Sequence, residues 1–289
     1  MRVLITGAGG LIGGTLARRM TLTDETFPMF HRDLDITDEP RVREIVLSIK
    51  PGMIINCAVT GVDECERDPE LARRMNVLGP RVLAQAASSV GAEIVHFSSN
   101  YVFRGDDRIG GDFYSPDDIA EPINEYGRSK LEGEQAVAAE CPRSWIIRTS
   151  WVFGEGKQSF LATLPARLRA AEQVIAITDI FASATYVRDL VNRLDEIIAL
   201  RSYGLYHLNN TGVCSFAEFA NATARILGLS EAERDSLIEY QSSSDVIRVA
   251  PRPRWTPMRC STSERLGLSP MRRWQEALGA YIADSFPFD

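Results

Sequence analysis

Short apolar runs alternate with longer stretches whose apolar residues recur at helical spacing, and this alternation holds from residue 1 to about 150. The pattern predicts strands over 2–6, 26–30, 53–58, 93–98 and 145–149, with helices over 11–20, 40–49, 69–88 and 126–139. Near-continuous apolar strands separated by helices belong in a parallel sheet covered on both faces. Pro28 weakens the second strand, because proline cannot donate to a ladder. After residue 150 the rhythm breaks. Strands over 174–177 and 204–208 mix with helices over 160–171, 186–200, 215–227 and 272–285, and the proline-rich stretch 249–257 reads as an ordered loop. The expected fold class is α/β. A doubly wound parallel sheet spans 1–150 with a returning segment near 178–200, and a smaller lobe spans mainly 151–289. A cleft between the two is the natural place for a ligand.

Composition narrows the class. The chain has 289 residues, 45% of them hydrophobic, enough for one large α/β domain with a smaller lobe. A net charge of -7 leaves no electrostatic footprint for nucleic acid. The five cysteines (Cys57, Cys65, Cys141, Cys214 and Cys260) are scattered and read as free thiols in a reducing compartment. His31, His96 and His207 are equally isolated, so no metal site is expected. No apolar run reaches the ~20 residues that span a bilayer. The chain opens directly on a strand, with no signal-peptide core. A cytoplasmic protein that binds neither nucleic acid nor membrane is expected.

The first candidate chemistry follows the first strand. Gly7, Gly10 and Gly13 fit the spacing G-x-x-G-x-x-G across a strand-to-helix turn, whereas G-x-G-x-x-G would need glycine at Ile12. In this context the backbone around Gly7, Gly10, Leu11, Ile12 and Gly13 suits a dinucleotide pyrophosphate, and the sheet becomes a Rossmann-type NAD(P)-binding domain. The end of the second strand reads His31-Arg32-Asp33. Arg32 there would pair with the 2′-phosphate of NADP, which favours NADP(H) over NAD(H). A shifted boundary would make Asp33 the relevant side chain and favour NAD. Asp35 and Ile36 are read as the end of a further short strand, near the adenine.

Tyr126 and Lys130 stand four apart on a predicted helix and so share one face. A phenol needs a neighbouring cation to move protons near neutrality, and Lys130 supplies one that also reaches the nicotinamide ribose. About thirty residues earlier, a strand ends in Ser98-Ser99, whose hydroxyls suit polarisation of a carbonyl for hydride attack.

Glycine turn, serine-ended strand and Tyr-x-x-x-Lys together resemble an extended short-chain dehydrogenase/reductase. Longer strings narrow the resemblance to the dTDP-4-dehydrorhamnose reductase family. They include Leu34-Asp35-Ile36-Thr37-Asp38, Ile55-Asn56-Cys57-Ala58, Val62-Asp63-Glu64-Cys65-Glu66, Asn76-Val77-Leu78-Gly79 and Ser98-Ser99-Asn100-Tyr101-Val102-Phe103. Arg148-Thr149-Ser150-Trp151-Val152-Phe153-Gly154, Thr185-Tyr186-Val187-Arg188-Asp189-Leu190, Gly204-Leu205-Tyr206-His207-Leu208 and Arg252-Pro253 follow in order. The resemblance implies reduction of the 4-keto group of a nucleotide-linked 6-deoxyhexose, a step of dTDP-rhamnose biosynthesis, by an enzyme allowed to form a homodimer. By position, Ser99 would orient the carbonyl, Tyr126 would donate the proton and Lys130 would tune Tyr126. Asn56, Ala58, Asn76 and Ser98 would line the dinucleotide site, Asn56 and Ala58 after the fourth strand. Asn100, Tyr101, Trp151, Arg252 and Arg254 would face the sugar nucleotide.

The chain also departs from the family pattern. Asn100 stands where the family has aspartate, Ile180 replaces an amide, and Ala184 replaces a proline. These changes bear on the identity of the sugar, and Asn100 above all is expected to alter substrate choice. A second reading is a non-catalytic NADP-binding regulatory subunit resembling the methionine adenosyltransferase beta subunit. An epimerase or dehydratase ranks last, since Ser99-Asn100 lacks the acid a dehydratase needs.

Overall fold

Alternate residues of each central strand enter opposite cores. Val3 and Ile5 belong to one apolar cluster and Leu4 to the other, and Ile55 and Ile54 divide in the same way. That period of two, with both faces apolar, makes the strands the middle layer of a three-layer sandwich. In the computed structural model, which describes residues 1–106, 108–156 and 158–286, the layer holds six strands. They are β1 (Arg2–Thr6), β2 (Glu25–Met29), β3 (Met53–Asn56), β4 (Glu93–Ser99), β5 (Ser144–Thr149) and β6 (Gly204–His207). Their order is β6-β5-β4-β3-β1-β2, and every neighbouring pair is parallel.

Pro28 lies inside β2, in register with Ile5 of β1. It is tolerated because β2 is an edge strand, where a missing donor need not break a ladder. The strand ends one residue earlier than predicted. No strand forms at Asp35 and Ile36. Instead Asp35 accepts hydrogen bonds from the Thr37 amide (2.9 Å) and hydroxyl (2.8 Å), closing a local turn. Asn56 therefore ends the third strand and Ala58 follows it, rather than the fourth.

On one face of the sheet lie α1 (Leu11–Met20) and α6 (Val187–Leu200). On the other lie α2 (Glu39–Ile49), α3 (Gly79–Val90) and α4 (Glu125–Glu140). The long helix predicted over 69–88 is broken in character. An α-helical turn, Pro69–Arg73, passes through a π-helical turn, Arg74–Leu78, before α3 begins. The wider turn leaves Asn76 fully buried.

Two glycines seat α4. A Cβ on Gly127 would stand 2.1 Å from the Tyr101 carbonyl oxygen, and one on Gly133 would stand 2.1 Å from the Asn76 carbonyl oxygen. Only a bare backbone approaches this closely. Asn124 caps the helix by accepting the Gly127 amide proton at 2.7 Å.

The second half returns β6 and α6 to the sheet and adds α5 (Phe160–Arg169), α7 (Phe216–Ile226) and α8 (Trp274–Ser285). Three small sheets join them. Val152–Phe153 pairs with Thr185–Tyr186, and Val174–Ile177 pairs with Ile238–Gln241, a strand the sequence pattern missed. Phe181–Ala182 lies between Cys214–Ser215 and Trp255–Thr256. Among the described residues no helix is long and apolar enough to cross a membrane.

Candidate active site

The carboxyl ends of parallel strands carry unpaired backbone and feed loops, which is why ligands gather there. Here β4 runs out at Ser98 and Ser99 and turns at once into a 3₁₀ turn, Asn100–Val102, with Ser99 Oγ accepting the Tyr101 amide proton at 3.2 Å. Helix α4 packs Gly127 on this turn and so brings Tyr126 and Lys130 to the strand end. The Tyr101 ring meets Tyr126 edge to face, with centroids 5.6 Å apart.

Burial pushes the Tyr126 phenol above its usual range, while the neighbouring Ser99 hydroxyl opposes that rise. Lys130 is buried, and its Nζ donates to the Phe97 carbonyl oxygen at 2.6 Å. Burial lowers its ammonium to about 8, and Glu134, one turn along α4, acts against that shift. Glu134 is itself gripped by Arg148 of β5 through two hydrogen bonds of 2.9 and 2.7 Å. The helix thus carries a fixed, buried charge network behind the reacting face.

These groups line a cavity of about 540 Å³. One wall is the glycine turn, where the N-terminus of α1 has no side-chain cap and leaves its first amides free for an anion. Gly10, Leu11, Ile12, Gly13, Ala58, Ser98, Ser99, Asn100, Tyr101, Tyr126, Lys130 and Trp151 all reach this cavity. Gly7 serves the turn instead. Its φ is +67°, and a Cβ would meet the Cys57 and Ala58 backbone at 2.6 Å.

Other expected residues sit elsewhere. Asn56 is fully buried behind the wall, bonded to Thr6, His96 and the Ala58 amide. Asn76 is buried too, donating to Ser129 Oγ at 2.9 Å. Neither side chain lines the cavity, so both shape its wall from behind. Arg32 is exposed and stacks on the Phe30 ring at 5.0 Å. Phe30 in turn lies against Gly9 of the glycine turn, so Arg32 stands beside that turn. Asp35 and Ile36 lie outside the cavity lining, Asp35 held in its own turn and Ile36 packed against Gly79. Arg252 is paired with Asp63 at 2.9 Å, and Arg254 is half-exposed, 3.9 Å from Asp179.

Asn100 is 2% exposed. Its Oδ1 accepts from Ser99 Oγ at 3.2 Å and its Nδ2 donates to Thr256 Oγ1 at 2.7 Å, so it ties the strand end to the Trp255–Thr256 strand. Trp151 has a left-handed backbone, φ 43°, and stacks on Phe216 with centroids 4.0 Å apart. A non-glycine residue there is strained, which the stacking offsets.

The sequence reading missed Thr149 and Ser150. Their hydroxyls and that of Ser98 are buried on residues that line the cavity, and among the described residues none has a hydrogen-bond partner. Buried hydroxyls are normally paired, so a cluster of three beside one cavity fits a polar ligand such as a nicotinamide nucleotide. The signal was available, since Thr149-Ser150 ends a predicted central strand just before Trp151.

A six-stranded Rossmann-type sheet, a glycine turn and Ser99, Tyr126 and Lys130 at one strand end define an extended short-chain dehydrogenase/reductase architecture. Within that class, the chain belongs to the family described as RmlD substrate binding domain, whose model matches residues 1–286. It is 39% identical to a dTDP-4-dehydrorhamnose reductase of Mycolicibacterium smegmatis, over 98% of this chain and 85% of that protein. It is 32% identical to a probable dTDP-4,6-dihydroxy-2-methyloxan-3-one 4-ketoreductase of Streptomyces antibioticus, covering 98% and 95% of the two chains. The solved dTDP-4-dehydrorhamnose reductase of Bacillus anthracis, in complex with NADP, superposes with a TM-score of 0.91 at 33% identity, covering 98% of this chain and 99% of that one.

Proposed function

We propose that this protein reduces the 4-keto group of a dTDP-linked 6-deoxyhexose, dTDP-4-dehydrorhamnose first among them, using a nicotinamide cofactor, with NADP(H) preferred. The observation that carries the reading is the convergence of Ser99, Tyr126 and Lys130 on one cavity whose opposite wall is the uncapped glycine turn. Residues 1–150 would hold the cofactor and most of 151–289 the sugar nucleotide. The likeness to the M. smegmatis reductase supports the reaction, and the NADP complex of the B. anthracis relative supports the cofactor. Arg32, beside the glycine turn, supports the preference for a 2′-phosphate.

The residues divide the work. When bound, the cofactor supplies hydride to the carbonyl carbon. Ser99 turns its hydroxyl proton from Asn100 Oδ1 to the carbonyl oxygen and fixes the face presented. Tyr126 passes its phenolic proton to that oxygen as charge develops, and its raised pKa keeps the proton in place at neutral pH. Lys130, positively charged below about pH 8, stabilises the phenolate left behind. The ring of Trp151 stacked on Phe216 walls the sugar side from water.

Purified protein given NADPH and dTDP-4-dehydrorhamnose should consume the nicotinamide absorbance. Tyr126→Phe should lower kcat by roughly 10²–10⁴-fold while cofactor affinity stays intact, and normal activity would remove Tyr126 as the acid. Tight NADPH binding without turnover of any dTDP-, UDP- or GDP-linked 4-keto sugar would replace this reading with the regulatory-subunit one.

A further inference from the structure

A strap over residues 242–252 is pinned at both ends by aspartates, one of them Asp63, the chain neighbour of Val62 in the cavity lining. Asp179 accepts from the Ser243 amide (2.7 Å) and from the Ser242 and Ser243 hydroxyls (3.0 and 2.9 Å). Asp63 accepts from the Ala250 amide (3.1 Å) and from Arg252 Nη2 (2.9 Å). Between these pins the strap exposes Ile247 fully and Val249 partly, while Arg248 is half-buried.

Arg252 is answered by Asp63, and Arg254 faces Asp179 at 3.9 Å. Arg248 has neither. Among the described residues no carboxylate lies within ion-pair distance of its guanidinium and no hydrogen bond engages it. Its charged neighbours are Arg252, which repels it, together with Asp63 and Asp179, which the strap already uses, and the Tyr101 phenol beside them. Tyr101 lines the main cavity. A half-desolvated guanidinium beside a second one is a costly arrangement until an anion meets it. The planar fork of arginine matches phosphate oxygens in pairs.

We propose that Arg248 is the residue that takes the diphosphate of the nucleotide sugar, with Arg252 as a positioning residue that holds the strap to Asp63 rather than a direct ligand. This rests on the sugar-nucleotide reading above. It places the anion contact on a residue that the sequence reading did not single out.

The test is calorimetric binding of dTDP, with thymidine as the probe lacking phosphate, to the full-length protein saturated with NADPH. Arg248→Gln should weaken dTDP by roughly ten- to a hundredfold, the range of a charge-assisted hydrogen bond, and leave thymidine and NADPH unchanged. Arg248→Lys should recover part of the loss. In turnover assays Arg248→Gln should raise KM for the dTDP sugar about tenfold, as one such bond predicts. Equal dTDP affinity in wild type and Arg248→Gln, or equal losses for dTDP and thymidine, would overturn the assignment. The two readings fail separately. Turnover with an unchanged KM in Arg248→Gln sinks the Arg248 assignment alone, and Arg248-dependent dTDP binding without turnover sinks the reductase reading alone.

Discussion

Lys130 and Tyr126 share one helix face, and burial favours the neutral form of each. The Lys130 ammonium is turned to the Phe97 carbonyl, and the groups that act most on the phenol are Ser99, Tyr101 and Cys65. Burial lowers Lys130 to about 8 while it raises Tyr126. Lys130 loses its charge as pH rises through about 8, whereas Tyr126 keeps its proton. The kcat/KM profile, which reports the free enzyme, should therefore fall on the alkaline side near pH 8, and Lys130→Met should abolish that limb. Asn100 is the other residue whose meaning the fold decides. Both polar atoms of its amide are engaged by protein hydroxyls. An aspartate there would still accept from Ser99 and Thr256, since a hydroxyl donates as well as it accepts. Asn100→Asp should thus keep the ratio of kcat/KM between two 4-keto sugars, and a tenfold shift, about 1.4 kcal/mol, would place the side chain against the sugar after all. Asn100→Ala, by removing the buried partner of the Thr256 hydroxyl and the acceptor of the Ser99 hydroxyl proton, should cost roughly 1–3 kcal/mol in a denaturant titration.

At the scale of elements, apolar periodicity located the central strands and main helices to within a few residues, because each carries its own burial pattern. It failed where pairing depends on distant partners. The Ile238–Gln241 strand exists through Val174–Ile177, and Trp255–Thr256 pairs with Phe181–Ala182 inside what reads as a proline-rich loop. Two-residue strands have no period to detect. Conversely, Asp35-Ile36 has strand-like residues but closes on its own side chain. The π-helical turn before α3 was equally invisible, though it is what buries Asn76 against Gly133. Gly133→Ala would drive a Cβ into the Asn76 carbonyl. It should cost about 1–3 kcal/mol, as overpacking does, and lower kcat because α4 can no longer seat Tyr126. Thermal unfolding and turnover measured on the same preparation check both effects.

For the whole molecule, the cavity is assembled from segments far apart in the chain, between Gly9 and Gln158. Its walls come from the glycine turn, the loops and residues at the ends of β3, β4 and β5, and the left-handed Trp151, and the strap is tied to Asp63, next to Val62 of that lining. A ligand that binds only the folded state stabilises it by mass action, about 2.7 kcal/mol at a hundred times Kd. NADPH should therefore raise the unfolding midpoint more than NADH at equal concentration. Arg32→Ala should erase most of that difference, and equal shifts in the wild type would show that Arg32 does not meet the 2′-phosphate.

The local chemistry was written in the chain: the glycine turn, Ser99, Tyr126 and Lys130 are recognisable because backbone approach and helical spacing are short-range constraints. Burial, charge pairing and hydrogen-bond satisfaction depend on residues tens to hundreds of positions away, so only the tertiary structure decided them. It sent Asn56 and Asn76 behind the wall and closed Arg252 on Asp63. It also joined Asn100 to Thr256 and, among the described residues, left the Ser98, Thr149 and Ser150 hydroxyls without hydrogen-bond partners and Arg248 without an ion pair of its own.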